Sequence, residues 1–310
     1  MKRLFSNNLR IILFILIFLS CLTIPSTFVY SFPNLEKKEL PFRQINIEVP
    51  ATQLYPVKIT NTEEPYLSAK SVIAVDVDSK AVIYQRNPDE RLYPASTTKM
   101  MTALIARQEY PLDKIASISS PLRDGQVIGL YQDEQISIEN LLYGMLVYSG
   151  NDAAQALADI HPKGSDYFIQ LMNQKVEKLG LTDTNFVNPT GLENYQHFSS
   201  VHDLAIIGTE IVKDPILSKI VDTKEITIYD QSGKIAHHLE SINELLGVVP
   251  GLKGIKTGWT ESSGECLVAY VERDDKKVIT VLLGSFNRFG ETQKLIEWIF
   301  ANFEWEEIGI

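Results

Sequence analysis

Cysteine is almost absent from this chain. Its two cysteines are Cys21, inside the first apolar segment, and Cys266. A disulfide framework within the folded part is therefore excluded, and so is a metal site built on CxxC pairs. Histidine is scarce as well: His161, His197, His202, His237 and His238 show no metal-ligand spacing, so no metal or cofactor is implied. Basic charge is in deficit, with 29 Lys and Arg against 39 Asp and Glu and a formal net charge of -10. Lys2, Arg3 and Arg10 are the only charges in residues 1–31, so residues 32–310 carry -13. A body this acidic argues against nucleic acid as a partner, because phosphate binding needs clustered Lys and Arg. It leaves room for a small anionic substrate, which needs only local positive charge. No internal repeat and no low-complexity tract occurs.

The composition is otherwise that of a folded protein, 45% apolar and 22% charged. The N-terminus has the layout of an export signal: a basic "MKRLFSNNLR", a continuous apolar "IILFILIFLSCLTI", then "STFVYSF" after Pro25. Residues 1–31 are read as a signal peptide with Val29-Tyr30-Ser31 as the cleavage site, or as an uncleaved membrane anchor. Residues 11–33 carry no charge and are long enough to span a bilayer, and the basic flank before them places the body on the outer face. Cys21 makes a poor lipidation site, because Phe18-Leu-Ser-Cys21 lacks a well-placed leucine. Residues 32–66, rich in proline and weak in periodicity, read as an extended linker.

From residue 67 the chain reads as compact. "SVIAVDV" and "AVIYQR" form a hairpin around Asp78-Ser79-Lys80. A helix runs from Ser96 to about Gln108, with Met100, Met101, Leu104 and Ile105 as its buried face. Helices follow before Gly150, after Asn151 or Asp152 as cap, over 165–179 and over "HDLAIIGTEIV". "FVNPTGLEN" is a turn-rich loop. "GLKGIKTGW", "ECLVAYVE" and "KVITVLLGS" are three successive strands, and "ETQKLIEWIFANF" closes the domain as a helix. Strands first, then helices, then strands again imply an α+β fold. In it an antiparallel sheet is built from both chain ends, with helices packed on it and a helical subdomain inserted between.

Ser96 and Lys99 stand at i and i+3 where the helix begins, and so share one face. A serine hydroxyl is a weak nucleophile until a base takes its proton, and a lysine whose pKa is lowered can do so. The helix start adds N–H groups and a dipole that favour developing negative charge. Alone, this pair reads better as a capping serine and a solvated lysine, because Ser-x-x-Lys is common by chance. Ser149-Gly150-Asn151, at a helix-to-helix turn, and Lys256-Thr257-Gly258, on a strand before Trp259, are likewise weak in isolation.

Together and in this order, Ser-x-x-Lys, Ser-x-Asn and Lys-Thr-Gly resemble the signature of penicillin-binding proteins and serine β-lactamases. Their spacing fits as well, 53 residues from Ser96 to Ser149 and 105 from Asn151 to Lys256. The flanking "YPASTTKMMTALIA", "SGNDAAQALA", "FVNPTGL", "HFSSVHDLAIIG" and "GIKTGWT" look like one branch, the serine-type D-Ala-D-Ala carboxypeptidases of low molecular mass. The resemblance covers roughly residues 67–305. It implies the β-lactamase/transpeptidase-like fold and a catalytic domain over residues 67–306. The implied reaction removes the terminal D-alanine from peptidoglycan stem pentapeptides, outside the cytoplasm in the cell envelope, with β-lactams as covalent inhibitors. By the same resemblance Ser96 is the acylated nucleophile, Lys99 its base, and Ser149 the proton donor toward the leaving D-alanine. Asn151 would hold the substrate amide and help position Lys99. Lys256 and Thr257 would hold the terminal carboxylate, and Gly258 would let the substrate lie along the strand. The N–H groups of Ser96 and Trp259 would form the oxyanion hole. Arg288 matches a carboxylate-binding arginine, or else makes a surface salt bridge. His197 reads as loop-ordering, and His237-His238 as a solvated pair.

The sequence departs from the family at its end. Many members carry a second, β-rich domain and an amphipathic tail; this chain stops at Ile310, so no C-terminal β domain is expected and the acidic "EWEEIGI" makes a poor anchor. A class A-like β-lactamase would need a Glu-x-x-Leu-Asn stretch, which residues 160–200 lack. Endopeptidase or transpeptidase action on the same site remains an alternative, as does a wall-binding or β-lactam-sensing pseudoenzyme.

Overall fold

A computed structural model of the protein describes residues 12–19 and 54–307. Residues 12–19 form a short helix, α1. No helix among the described residues is long and apolar enough to cross a membrane. The cleavage site, the flanks of the proposed anchor and residues 32–53 lie outside the described residues.

Five strands form the central antiparallel sheet, in the order β3-β2-β10-β9-β8. They are β2 (Ser71–Asp76), β3 (Val82–Arg86), β8 (Leu252–Thr260), β9 (Gly264–Arg273) and β10 (Lys276–Ser285). The two N-terminal strands therefore pair directly with the three C-terminal ones, through β2 and β10. This is the sheet expected from both chain ends. The runs "CLVAYV" and "VITVLLG" are almost continuously apolar because both faces of the sheet are covered. Ile73, Cys266, Val268, Tyr270, Ile279, Val281 and Leu283 face one core, and Val72, Ala74, Leu267, Ala269, Val271, Val278 and Leu282 face the other. Alternate residues of each strand point to opposite faces, so one sheet serves two cores.

The first core belongs to the inserted helices: α2 (Lys99–Glu109), α3 (Ile138–Leu146), α4 (Asn151–Asp159), α5 (Ser165–Leu179), α6 (Val201–Lys213) and α7 (Pro215–Val221). Helix α6 packs directly on the sheet. A Cβ at Gly208 would lie 3.1 Å from Val268 Cγ1, so this glycine permits the close approach. Helix α2 is the hub of the subdomain. The single buried face expected for it is an understatement, since every residue from Lys99 to Ala106 is buried. A helix enclosed by neighbours on all sides has no solvent face to keep polar. Side-chain caps mark the starts of α3, α6 and α7: Ser137 Oγ accepts from the N–H of Asn140, Ser200 Oγ from Asp203, and Asp214 Oδ1 from Ile216 and Leu217. Two small antiparallel pairs escaped the sequence reading, β4 (Ile115–Ser117) with β5 (Gln135–Ser137) and β6 (Glu225–Tyr229) with β7 (Ala236–Glu240).

The second core is closed by α8 (Arg288–Asn302), whose Leu295, Ile296, Trp298 and Ile299 are buried against the sheet. Here the linker reading of residues 32–66 needs correction. Leu54–Lys58 form a strand, β1, paired antiparallel with β11 (Phe303–Glu307). The acidic tail is thus structural through Glu307. Alternation explains it: Phe303 and Trp305 are half-buried while Glu304, Glu306 and Glu307 face solvent. Trp305 donates from Nε1 to Asp76 Oδ2 at 2.8 Å and stacks on Phe300. The segment that follows β1 also returns to α8, where Trp298 Nε1 donates to the Glu63 carbonyl.

If the terminal ribbon is part of the domain, Trp305→Ala should cost about 2–3 kcal/mol in urea unfolding, from lost aromatic packing and an orphaned Asp76 oxygen. A loosely attached tail would give a change within about 0.5 kcal/mol.

Candidate active site

The three sequence motifs meet at the edge of the sheet. Ser96 lies in a 3-10 turn, Ala95–Thr98, that leads directly into α2. The turn begins with Ala95 in a left-handed conformation, φ 49°. Two glycines make room for it. A Cβ on Gly191 would sit 1.9 Å from the Ala95 carbonyl oxygen, and one on Gly258 would sit 3.0 Å from both Ala95 Cβ and Ser96 N. Gly258 therefore lets the edge strand β8 lie directly against the Ser96 backbone. That packing reason for a glycine was not seen in the sequence.

Lys99 is fully buried, and its Nζ lies 2.8 Å from Ser96 Oγ, 2.6 Å from Asn151 Oδ1 and 2.9 Å from the Thr190 carbonyl oxygen. The Thr190 carbonyl and the Asn151 Oδ1 can only accept hydrogen bonds, whereas the Ser96 hydroxyl can accept or donate. A charged Lys99 donates to all three. A neutral Lys99 donates to the two carbonyl oxygens and turns its lone pair to the Ser96 proton. Burial lowers the Lys99 pKa to about 7, partly opposed by the negative charge of Asp152. Near neutral pH this site therefore holds a lysine able to act as a base.

A second lysine mirrors the first. Lys256, on β8, is 2% exposed and donates to Ser149 Oγ at 2.8 Å and to the Thr257 carbonyl at 3.0 Å. Its pKa is held well below the ordinary value by burial, then by the positive charges of Lys99 and Arg288. Ser149 joins α3 to α4 with φ 68°, a left-handed conformation uncommon for a serine. Thr257 Oγ1 is buried and has no hydrogen-bond partner among the described residues. Arg288, at the start of α8, donates from Nη1 to the Gly258 carbonyl at 2.8 Å and lies over the Phe289 ring, while its buried Nε has no partner. Among the described residues it makes no ion pair, so it is not the surface salt bridge considered as its alternative reading.

Ser96, Ser149, Asn151, Thr257, Gly258, Trp259 and Arg288 all line one cleft of about 640 Å³, with Lys99 and Lys256 buried beneath it. Every residue singled out for the site is thus brought together. Trp259 is 62% exposed at the cleft mouth.

Other contributors were missed. Thr190 supplies a carbonyl to Lys99, and its turn is organised by Asn188 Oδ1, which accepts from the N–H groups of Thr190 and Gly191. The "NPTG" text signalled a turn but not its function. Asn151 and Asp152 were read as alternative helix caps. Instead Gly150 is the cap position, and both side chains turn away to other partners. His237 and His238 were read as a solvated pair; only His238 is exposed. Strand alternation turns His237 inward, where Nε2 meets Glu134 Oε1 at 2.8 Å and Nδ1 meets the Ile128 carbonyl at 3.1 Å. His197 does order a loop. Its Nδ1 accepts from the Val187 N–H at 3.2 Å, which leaves Nε2 to donate to Thr98 Oγ1 at 2.8 Å. Burial lowers its pKa to about 4, so the ring is neutral at the start of α2.

A serine–lysine pair under an antiparallel edge strand, with a second buried lysine opposite, defines the class of penicillin-binding folds. Solved structures agree. Penicillin-binding protein 5 of Haemophilus influenzae matches with a TM-score of 0.72 and 34% identity, over 78% of this chain and 74% of that one. Penicillin-binding protein D2 of Listeria monocytogenes, solved in its ampicillin-bound form, matches with a TM-score of 0.68 and 30% identity, over 77% and 100%. The family model for D-alanyl-D-alanine carboxypeptidase, peptidase family S11, matches residues 58–287, and the chain belongs to this family. Curated relatives include the D-alanyl-D-alanine carboxypeptidase DacF of Bacillus subtilis, 33% identical over 78% of this chain and 65% of the relative. DacC of Escherichia coli is 35% identical over 78% and 64%. A D-alanyl-D-alanine endopeptidase of Escherichia coli is 29% identical over 77% and 80%. The chain spans about 65% of the length of the first of these carboxypeptidases.

The neutral, buried His197 gives a stability prediction. Its folded pKa lies below the unfolded value of 6.5, so its stabilising contribution is complete above pH 6.5 and is lost as pH falls toward 4. The unfolding free-energy gap between wild type and His197→Gln should narrow by about 3 kcal/mol across that window in urea titrations. A gap independent of pH would contradict a buried, neutral imidazole.

Proposed function

We propose that this protein is a serine DD-carboxypeptidase that removes the terminal D-alanine from peptidoglycan stem pentapeptides. The observation that carries the proposal is the Lys99 geometry: a fully buried amine with two obligate acceptors and one hydroxyl, that of Ser96. In this reading the Ser96 proton passes to Lys99 as Oγ attacks the carbonyl carbon of the penultimate D-alanine. The carbonyl oxygen becomes an oxyanion, held by the N–H groups of Ser96 and Trp259. Ser149, bonded to Lys256, passes its proton to the leaving nitrogen and takes in return the one held by Lys99, the C–N bond breaks, and D-alanine departs with Lys99 neutral again. Water then attacks the ester carbonyl, giving up a proton to the neutral Lys99, which hands it to Ser96 Oγ as the ester C–O bond breaks, so the shortened peptide leaves with Ser96 restored. The unpartnered Thr257 hydroxyl, Lys256 and the Arg288 guanidinium would receive the substrate's terminal carboxylate. A β-lactam presents a comparable carbonyl and carboxylate, as the ampicillin-bound relative suggests. The substrate and the export-like N-terminus place the action outside the cytoplasm, in the cell envelope, with residues 11–33 as a membrane tether if they are retained.

A second reading, cleavage of D-alanyl crosslinks, is favoured by the endopeptidase relative that aligns with 77% of this chain. Both readings use the same acyl-enzyme and differ in the leaving group.

The deciding assay is release of D-alanine from a pentapeptide ending in D-Ala-D-Ala by the full-length protein, with Ser96→Ala beside it. Release that falls at least about 1,000-fold in the variant is expected for loss of the nucleophile. Acylation by penicillin without release, but with cleavage of a crosslinked dimer, would establish the endopeptidase reading. Neither release nor acylation would leave a binding pseudoenzyme.

The pH dependence should follow Lys99. Only the neutral amine can take the Ser96 proton, so the acylation rate by benzylpenicillin should rise with pH and level off above about 7. A rise that continued toward pH 10 would mean that Lys99 is not the titrating base.

A further inference from the structure

One buried charge in the site has no cation partner among the described residues and no part in the acyl transfer. Asp152 follows Asn151 in α4 and is fully buried. Its Oδ1 accepts from the N–H groups of Ile128 at 3.0 Å and Ala153 at 2.9 Å, and its Oδ2 from those of Gly129 at 2.9 Å and Leu130 at 3.0 Å. Three of these four donors belong to one segment on the wall of the cleft. Just upstream, the same segment returns two carbonyls to Asn151. Asp124 O accepts from Asn151 Nδ2 at 3.0 Å, and Gln126 O accepts from the Asn151 backbone N–H at 2.6 Å. With its amide nitrogen held by Asp124, Asn151 can present only Oδ1 to Lys99.

We propose that Asp152 is a positioning residue for the serine–lysine pair. By gathering the N–H groups of Ile128, Gly129 and Leu130, it holds residues 124–130 in the form that orients the Asn151 amide toward Lys99. The chain of contact runs from Asp152 to the segment, to Asn151, to Lys99 and then to Ser96. A carboxylate suits the post because three converging N–H donors need more acceptor capacity than one amide oxygen offers. His237 grips the segment from the opposite side through the Ile128 carbonyl, and its partner Glu134 accepts from the Tyr131 N–H. Lys256, beyond Ser149, is the other charged group that interacts with Lys99, and Arg288, at the far side of Gly258, bears on Lys256. The proposal rests on reading Lys99 as the base.

The test is a double-mutant cycle on the full-length protein: wild type, Asp152→Asn, Asn151→Ala and the double variant. Each is read by its benzylpenicillin acylation rate from pH 5 to 9 and by D-alanine release. Asp152→Asn should slow acylation about 10- to 100-fold, the scale of a displaced catalytic group, and should slow the chemical step more than binding. Its acid limb should move to lower pH, because the negative charge that supports the Lys99 proton is gone. In the Asn151→Ala background the same change should cost under about 3-fold, since the group it positions is already missing. Equal losses in both backgrounds, or an unchanged rate and limb, would overturn the proposal. Should Asp152→Asn fail to fold, Gly125→Ala tests the segment from its exposed side. A Cβ there would meet Asn151 Nδ2 at 2.6 Å. Acylation at the wild-type rate in that variant would overturn the proposal, and a loss of about 10-fold or more would support it. A wild type that neither releases D-alanine nor takes up penicillin would fail the functional reading itself, and the positioning role with it.

Discussion

The structure depends on keeping two lysine amines out of water without a carboxylate to pair either one. An unpaired buried ammonium is expensive, so such a group gives up its proton instead. Lys99 and Lys256 both sit at 2% exposure or less, and both have partners that are neutral oxygens. They also oppose one another, since each positive charge disfavours the other. Asp152 is the nearest counterweight, but its oxygens are committed to backbone N–H groups and not to Lys99. In the proposed reading this makes Lys99 a base available near neutral pH, its pKa lowered by burial and raised in part by a carboxylate one step removed. A direct Lys99–carboxylate bond would have held the proton on the amine and removed the base.

That constraint dictates the architecture. Burial of Lys99 requires an enclosed helix, which is why α2 sits at the centre of the inserted subdomain with no solvent face from Lys99 to Ala106. Ser96, by contrast, must reach the cleft, so it stands one turn earlier, where the 3-10 turn emerges from the core. Burial of Lys256 requires an edge strand pressed against the turn after α3, and Gly258 allows the same strand to touch the Ser96 backbone. The sheet supporting β8 must then be rigid. It is buried on both faces, and the terminal ribbon and α8 complete the face remote from the inserted helices.

Much of this was legible in the sequence because it repeats at a fixed period. The apolar alternation of 266–271 and 278–283 marks strands, and the Ser96–Lys99 spacing marks one helical face. The order of strands and helices gave the sheet from both chain ends, and the three motifs gave the residues that line the cleft. The failures share a cause: a residue's partner lies far away in the chain. Leu54–Lys58 looked like linker because its strand is short, includes Pro56 and pairs only with residues some 250 positions later. Asp152 carried the local mark of a helix cap, while its donors lie 22 to 24 residues upstream. His237 and His238 are chemically identical, and only the register of β7 separates a buried ring from an exposed one. The Thr190 carbonyl could not be read at all, since backbone oxygens leave no trace in residue identity.

The backbone around Ser96 also argues for a site held against its own preferences. Ala95 and Ser149 adopt left-handed conformations with φ 49° and 68°, and each belongs to a motif that contacts a buried lysine. A non-glycine residue there costs on the order of 1 kcal/mol relative to glycine. Glycine at 95 would remove that cost, yet it would also remove the methyl group that packs on Gly258. It would free the chain immediately before Ser96 as well, since glycine has the most conformational freedom to lose. The strain and the two facing glycines, Gly191 and Gly258, are therefore one device. Gly258 closes on the Ala95 methyl group and Gly191 on the Ala95 carbonyl, and the compressed turn leaves Ser96 one position relative to Lys99. Rigidity here comes from packing imposed on the turn from both sides, not from the turn's own propensity.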